Sequence, residues 1–194
     1  VTGEANFGAG TSSKWPSYGS MMSKHRGVNT DDGLPTYVQL GQYDHNGAAW
    51  LGGKYTGFDA TKEGRKDLQL LGKSDDFKRR LHALNVIDGN FLAREQQMAK
   101  DWSALRNQSV DIILGNGSKA FRFEDDKDYD KFKDATLGQD ALTAIRLLEA
   151  GSKFVSLSYG GWDMHTNIGQ SLSTKQVELD HYLAKIMDAL EARG

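Results

Sequence analysis

The chain has 194 residues, 38% of them hydrophobic and 26% charged, which is enough apolar material to bury one sizeable core. Its formal charge of -2, with basic residues scattered among acidic ones, excludes a nucleic-acid binder driven by a basic surface. No stretch approaches the roughly 18 consecutive apolar residues of a membrane-spanning helix, and the lack of cysteine excludes disulfides, thiolate catalysis and cysteine-ligated zinc.

In chain order, residues 1–14 are rich in Gly, Ser and Thr and read as a loop, although Gly-rich backbone can also wrap a ligand. Pro16 is placed to begin a short helix carrying Tyr18, Met21 and Met22 inward and ending at Gly27. Lys24, His25 and Arg26 fall in its last turn, where positive charge meets the negative end of the helix dipole. After the turn-like Asn29-Thr30-Asp31-Asp32-Gly33, residues 35–40 predict a strand with Tyr37, Val38 and Leu40. A long Gly- and aromatic-rich connection over residues 41–58 contains Asp44, His45, Trp50 and Tyr55. Connections this long are commonly functional, and Asp44 and His45 are either further metal ligands or a solvated turn.

The middle of the chain is helical by spacing. Ser74 or Asp75 caps a helix bearing Phe77, Leu81 and Leu84, and a second carries Phe91, Glu95, Met98, Trp102 and Leu105. His82 lies beside the first stripe and reads as a partly buried or surface histidine. The mixed-charge run over residues 124–131 is expected to solvate a loop or the start of a helix, because it lacks the spacing and central Gly of a calcium loop.

The last third has the clearest pattern. Leu137, Ala141, Leu142, Ile145 and Leu148 form an amphipathic face that Gly151 ends, and residues 153–159 predict a strand suited to a buried sheet position. Ser173 and Gln176 read as a capping box opening a helix with Leu179, Leu183, Ile186 and Leu190 on one face. Helix, strand, loop, helix is the order of a doubly wound α/β sheet. The chain begins at Val1 and stops at Ala192-Arg193-Gly194, a basic last turn followed by a Gly stop, so it reads as an internal segment of a longer protein.

Between that strand and that helix lies Tyr159-Gly160-Gly161-Trp162-Asp163-Met164-His165-Thr166-Asn167. It puts a carboxylate and an imidazole at the carboxyl end of a strand, where open α/β sheets build their sites. Alternate residues of an extended segment share a face, so Asp163 and His165 can converge on a divalent metal, and the two glycines let backbone approach it. The alternative is structural: Trp162 packs under the sheet end, Asp163 caps a turn and His165 makes a local hydrogen bond.

Several blocks taken together resemble one family. They are residues 16–27 (Pro-Ser-Tyr-Gly-Ser-Met-Met-Ser-Lys-His-Arg-Gly), Leu34-Pro35-Thr36-Tyr37-Val38, Gly47-Ala48-Ala49-Trp50-Leu51-Gly52, and Leu147-Leu148-Glu149-Ala150-Gly151 leading through Phe154-Val155 to Gly161-Trp162-Asp163-Met164-His165. The family is DUF1501, a bacterial domain of unknown function related to the alkaline phosphatase and sulfatase superfamily. The similarity in order and spacing runs over residues 2–194, with the Gly-Trp-Asp-x-His block more specific than the amino-terminal ones. Met164 stands where Thr is common in relatives.

The resemblance implies a three-layer α/β/α fold around a largely parallel sheet, alkaline phosphatase-like, of which residues 1–194 would be the central part, incomplete at both ends. Members are typically exported, which implies a periplasmic or secreted protein; the twin-arginine leader common among them is missing from this segment. Relatives in the superfamily cleave phosphate or sulfate monoesters with a metal-activated Ser, Thr or modified Cys. Asp163 and His165 are the positions that look like ligands of a divalent ion (zinc, manganese, calcium or magnesium), and the nucleophile is expected outside the segment. Trp162, Trp50 and Tyr55 are expected to shape a pocket for a small-molecule or saccharide ester, their rings offering stacking faces for a sugar. The competing expectation is a non-catalytic cell-surface binding or structural module on the same fold, and a third is a metal-binding protein without turnover.

Overall fold

A computed structural model describes residues 15–41, 47–61 and 116–194, together with Arg79, His82 and Val110. The expected loop over residues 1–14, the Asp44-His45 pair, and the apolar stripes from Phe77 to Leu84 and from Phe91 to Leu105 lie outside the described residues. His82 itself is exposed.

The first helix, α1, spans Tyr18–Arg26. Ser17 caps it from an extended conformation, its Oγ accepting from the Ser20 backbone N–H at 3.2 Å, so Pro16 precedes the cap rather than opening the helix. Gly27, at φ +93°, ends it after the basic last turn. The inward face is corrected: Gly19, Ser20 and Ser23 are buried, while Tyr18 and Met21 are 51% and 41% exposed. A Cβ at Gly19 would stand 2.4 Å from the Tyr37 ring. The strand supplies the bulk at this contact, so the helix contributes small residues there and turns its large ones outward.

Strand β1, Tyr37–Leu40, is the buried centre of a parallel sheet of order β2-β1-β3, with β2 at Phe58–Asp59 and β3 at Phe154–Leu157. Tyr37 pairs with Phe154 and Leu40 with Leu157. Register is fixed before the ladder starts, by Ser152 Oγ donating to Pro35 O and by the Lys153 and Phe154 N–H groups donating to Thr36 O. Because side chains alternate along a strand, Tyr37 and Phe154 face α1, while Val38, Leu40 and Val155 face the opposite layer. β3 is only half-buried, which corrects the expected buried sheet position: among the described residues it has a neighbour, β1, on one side.

That opposite layer holds α2 (Tyr129–Phe132), α3 (Thr136–Glu149) and α4 (Ile168–Arg193). α3 meets two different neighbours. Leu137, Ala141, Leu142 and Ile145 join Phe132, Tyr182 and Ala189 in one apolar cluster, whereas Leu147 joins Leu34, Val38 and Leu40 against the sheet. Leu148 belongs to neither and is 41% exposed, correcting the predicted stripe. Gly151 ends the connection from α3 at φ +111°, as its sequence position indicates.

α4 begins at Ile168, so Ser173-Gln176 is no capping box; Ser173 Oγ donates back to Gln170 O inside the helix. Residues 168–172 contain no Pro, and extending an existing helix by one turn is cheap compared with nucleating it. Its buried side is Tyr182 and Ala189, with Leu179 and Ile186 packed beside them; Leu183 and Leu190 face outward, rotating the expected face. No described helix is long and apolar enough to cross a membrane.

The mixed-charge run is also corrected. Asp126 and Asp128 accept hydrogen bonds from Arg193 at the end of α4, and Asp126 accepts another from Arg146 of α3 at 3.0 Å. The aspartates and Arg193 are almost wholly buried by this network, which ties the carboxyl end of α4 to the segment before α2. The described molecule is therefore mixed α/β, a small parallel sheet with α1 on one face and α3 on the other.

Candidate functional site

The loop after β3 leaves the sheet at Ser158, whose N–H still donates to Leu40 O at 3.0 Å. Tyr159 then folds back toward α4. Its hydroxyl donates to Glu178 at 2.5 Å, and its ring meets Trp162 edge-on with 5.6 Å between centroids. Burial first and the Glu178 carboxylate second push the Tyr159 phenol up to about 12, so it remains a donor across the neutral range.

Trp162 Nε1 donates to Tyr159 O at 2.7 Å and closes a tight turn through Gly160 and Gly161. Gly161 has φ +79°, the left-handed region that a side chain disfavours. Lys175, in the second turn of α4, lies over this turn: Nζ donates to Gly160 O at 2.5 Å and sits 4.0 Å from the Tyr159 ring centroid and 5.4 Å from that of Trp162. Lys175 and Glu178 are three residues apart and so share one helix face.

Beyond this braced turn stand Asp163 and His165. Asp163 Oδ1 and His165 Nε2 are 3.3 Å apart, with side chains 90% and 83% exposed. Two ligand atoms bound at the usual zinc distances and a tetrahedral angle lie about 3.3–3.4 Å apart, so the pair fits one edge of such a site. The donor chemistry fits as well, since a carboxylate oxygen and an imidazole nitrogen both serve zinc and manganese. Among the described residues there is no group of three or more His, Cys, Asp or Glu placed to hold an ion, so this pair alone would fill two of the four positions of a tetrahedral site. α4 opens two residues after His165 from Asn167, which is in the left-handed conformation (φ 49°, ψ 37°) and makes no side-chain cap bond.

The structure brings Trp162, Asp163 and His165 into one loop, and its half-exposed Trp162 packs edge-on against Tyr159 rather than under the sheet. The other two predicted aromatics lie in the crossover between β1 and β2. Tyr55 sits before β2, where its hydroxyl accepts from Lys24 in the last turn of α1 at 3.2 Å. That turn leads into the amino end of β1, so Tyr55 is at the opposite end of the parallel sheet from the Asp163 loop. The Lys24 hydrogen bond, against a smaller opposing effect of burial, lowers the Tyr55 phenol below its ordinary value. Trp50 lies in the crossover between β1 and β2 and is 67% exposed. Tyr159, Lys175 and Glu178 escaped the sequence reading; the signal was an aromatic residue before Gly-Gly-Trp together with an i, i+3 Lys and Glu on the next helix.

A family model described as protein of unknown function (DUF1501) matches residues 2–194. The chain belongs to the DUF1501 family. The match takes in every described element of this DUF1501 chain, so α1, the sheet, the Asp163 loop and α4 all lie within the matched residues. No curated protein and no solved structure matches the chain.

Proposed function

We propose that this DUF1501 protein is an exported, metal-dependent hydrolase of phosphate or sulfate esters, with an alkaline phosphatase-like three-layer fold, in which Asp163 and His165 hold a divalent ion. The observation that carries the reading is the exposed pair, 3.3 Å apart at the carboxyl end of a parallel strand. In a site of this kind the bound ion polarises the ester oxygen and lowers the pKa of the attacking hydroxyl. Asp163 would supply charge and His165 an imidazole nitrogen to that ion. Trp162 offers a partly exposed ring beside the pair for the organic part of the ester, such as a sugar. The positive end of the 26-residue α4 dipole, which begins three residues beyond His165, favours an anionic substrate.

The expected result is a stoichiometric divalent metal in the wild-type protein, read by mass spectrometry, and its loss in both Asp163→Ala and His165→Ala. Because both side chains are exposed, the variants are expected to unfold within about 0.5 kcal/mol of wild type. Hydrolysis of phosphate or sulfate monoesters should disappear with the metal. A wild-type protein that binds none of zinc, manganese, calcium or magnesium would overturn the proposal and leave a non-catalytic binding module as the better account.

A further inference from the structure

Among the described residues Asp163 and His165 are paired with each other, at 3.3 Å, and the turn just before them is fastened at four points to α4 or to itself. Lys175 Nζ bonds Gly160 O, the same ammonium covers the Tyr159 and Trp162 rings, Glu178 accepts from Tyr159, and Trp162 bonds back to Tyr159 O. From these contacts we infer that Lys175 and Glu178 are positioning residues for the metal pair, setting its geometry through the Tyr159-Gly160-Gly161-Trp162 turn without touching the ion; this rests on the reading of Asp163 and His165 as metal ligands.

A loop that presents ligands from an unrestrained backbone must order itself when the ion binds, and that lost freedom weakens affinity. Here much of the ordering is already done before binding. The left-handed Gly161 places Trp162 over Tyr159, and the Lys175 stem closes over Gly161, where an added Cβ would stand 3.1 Å from Cε. The Lys175 tether is not a general stability device, because its contacts are exposed; Tyr159, which Glu178 holds, packs against the cluster of Tyr182 and Ala189.

The test uses the whole chain and the variants Lys175→Met, Glu178→Gln and Lys175→Arg. Exchange of the Trp162 indole N–H, which donates to Tyr159 O, is expected to speed up about tenfold in metal-free Lys175→Met, read by nuclear magnetic resonance, with β1 amides unchanged. Calorimetry with zinc alone is expected to show affinity reduced roughly tenfold in Lys175→Met and Glu178→Gln, and largely restored in Lys175→Arg, which keeps a cation over the two rings. Wild-type zinc binding with equal affinity in all three variants would overturn the positioning role, as would unchanged exchange in Lys175→Met. Should wild type bind no zinc while exchange still accelerates, the brace on the turn would stand, and its assignment to a metal would fall with the proposed function.

Discussion

Replacing Arg193 by Met is expected to lower the unfolding free energy by about 3 kcal/mol, read from urea denaturation followed by circular dichroism. Its guanidinium is 5% exposed and donates to Asp126 and Asp128 at 2.6 Å each and to Glu149 at 2.7 Å. Removing it leaves Asp126 with Arg146 as its remaining arginine partner and Asp128 with Lys131, while the aspartates stay largely out of water. A buried carboxylate that loses its main partner costs far more than an exposed ion pair returns, so this variant should be worse than loss of the exposed Lys133–Asp130 pair. A change below about 1 kcal/mol would mean that Arg146 and solvent suffice.

The same network sets an acid dependence. Burial pushes the Asp126 carboxyl up, but hydrogen bonds from Arg193, the Asp128 backbone and Arg146 outweigh it and bring it down from 3.8 to about 2. A carboxyl depressed in the folded state stabilises above its unfolded value and loses that contribution as pH falls through its folded value. The shift corresponds to about 2 kcal/mol, present above roughly pH 4 and lost toward pH 2. The gap between wild type and Arg193→Met is therefore expected to narrow over that window, and a gap independent of pH would contradict the pairing.

Gly138→Ala is expected to destabilise by about 2 kcal/mol, although helix propensity alone predicts a gain of up to about 1 kcal/mol inside a helix. Gly138 lies in the first turn of α3, and a Cβ there would stand 2.3 Å from Phe132 O and 2.4 Å from Tyr182 Cε1. The carbonyl is backbone and the Tyr182 ring stacks on Phe132, 6.3 Å between centroids, inside a packed cluster, so neither can withdraw cheaply. At Gly169, in the first turn of α4, an added Cβ would meet nothing within 4 Å, and Gly169→Ala should be neutral or stabilising. Thermal unfolding of the two variants checks the sign; a Gly138→Ala protein as stable as wild type would show that α2 and α4 can move apart.

Much of the local structure was legible before any tertiary contact was known. Gly27 and Gly151 end their elements because left-handed backbone favours residues without a Cβ, and both show positive φ. The run Tyr37-Val38-Gln39-Leu40 reads as a strand, and the spacing around Ala141 and Ile145 reads as a helix, because both patterns are set by period alone. The placement of Trp162, Asp163 and His165 in a loop after a strand followed from the same punctuation. Family membership was carried by spaced blocks across the chain.

Local pattern thus placed α1, β1, α3, β3 and the body of α4 and put Asp163 and His165 in one loop, but it missed β2 and α2, which are too short to show a period, and the inward side of each element came from packing in three dimensions. Tyr18, Met21, Leu183 and Leu190 have large side chains at helical spacing, yet they face outward, because Tyr37 fills the space under α1 and because Tyr182 and Ala189 form the seam between α3 and α4. Packing also chose the partners of charge: Asp126 and Arg193 are 67 positions apart, and their attraction depends on distance in space, which no local pattern encodes. Tyr55 and Trp162 look alike as loop aromatics, but the parallel sheet puts them at opposite ends, since each crossover must return to the side from which its strand starts.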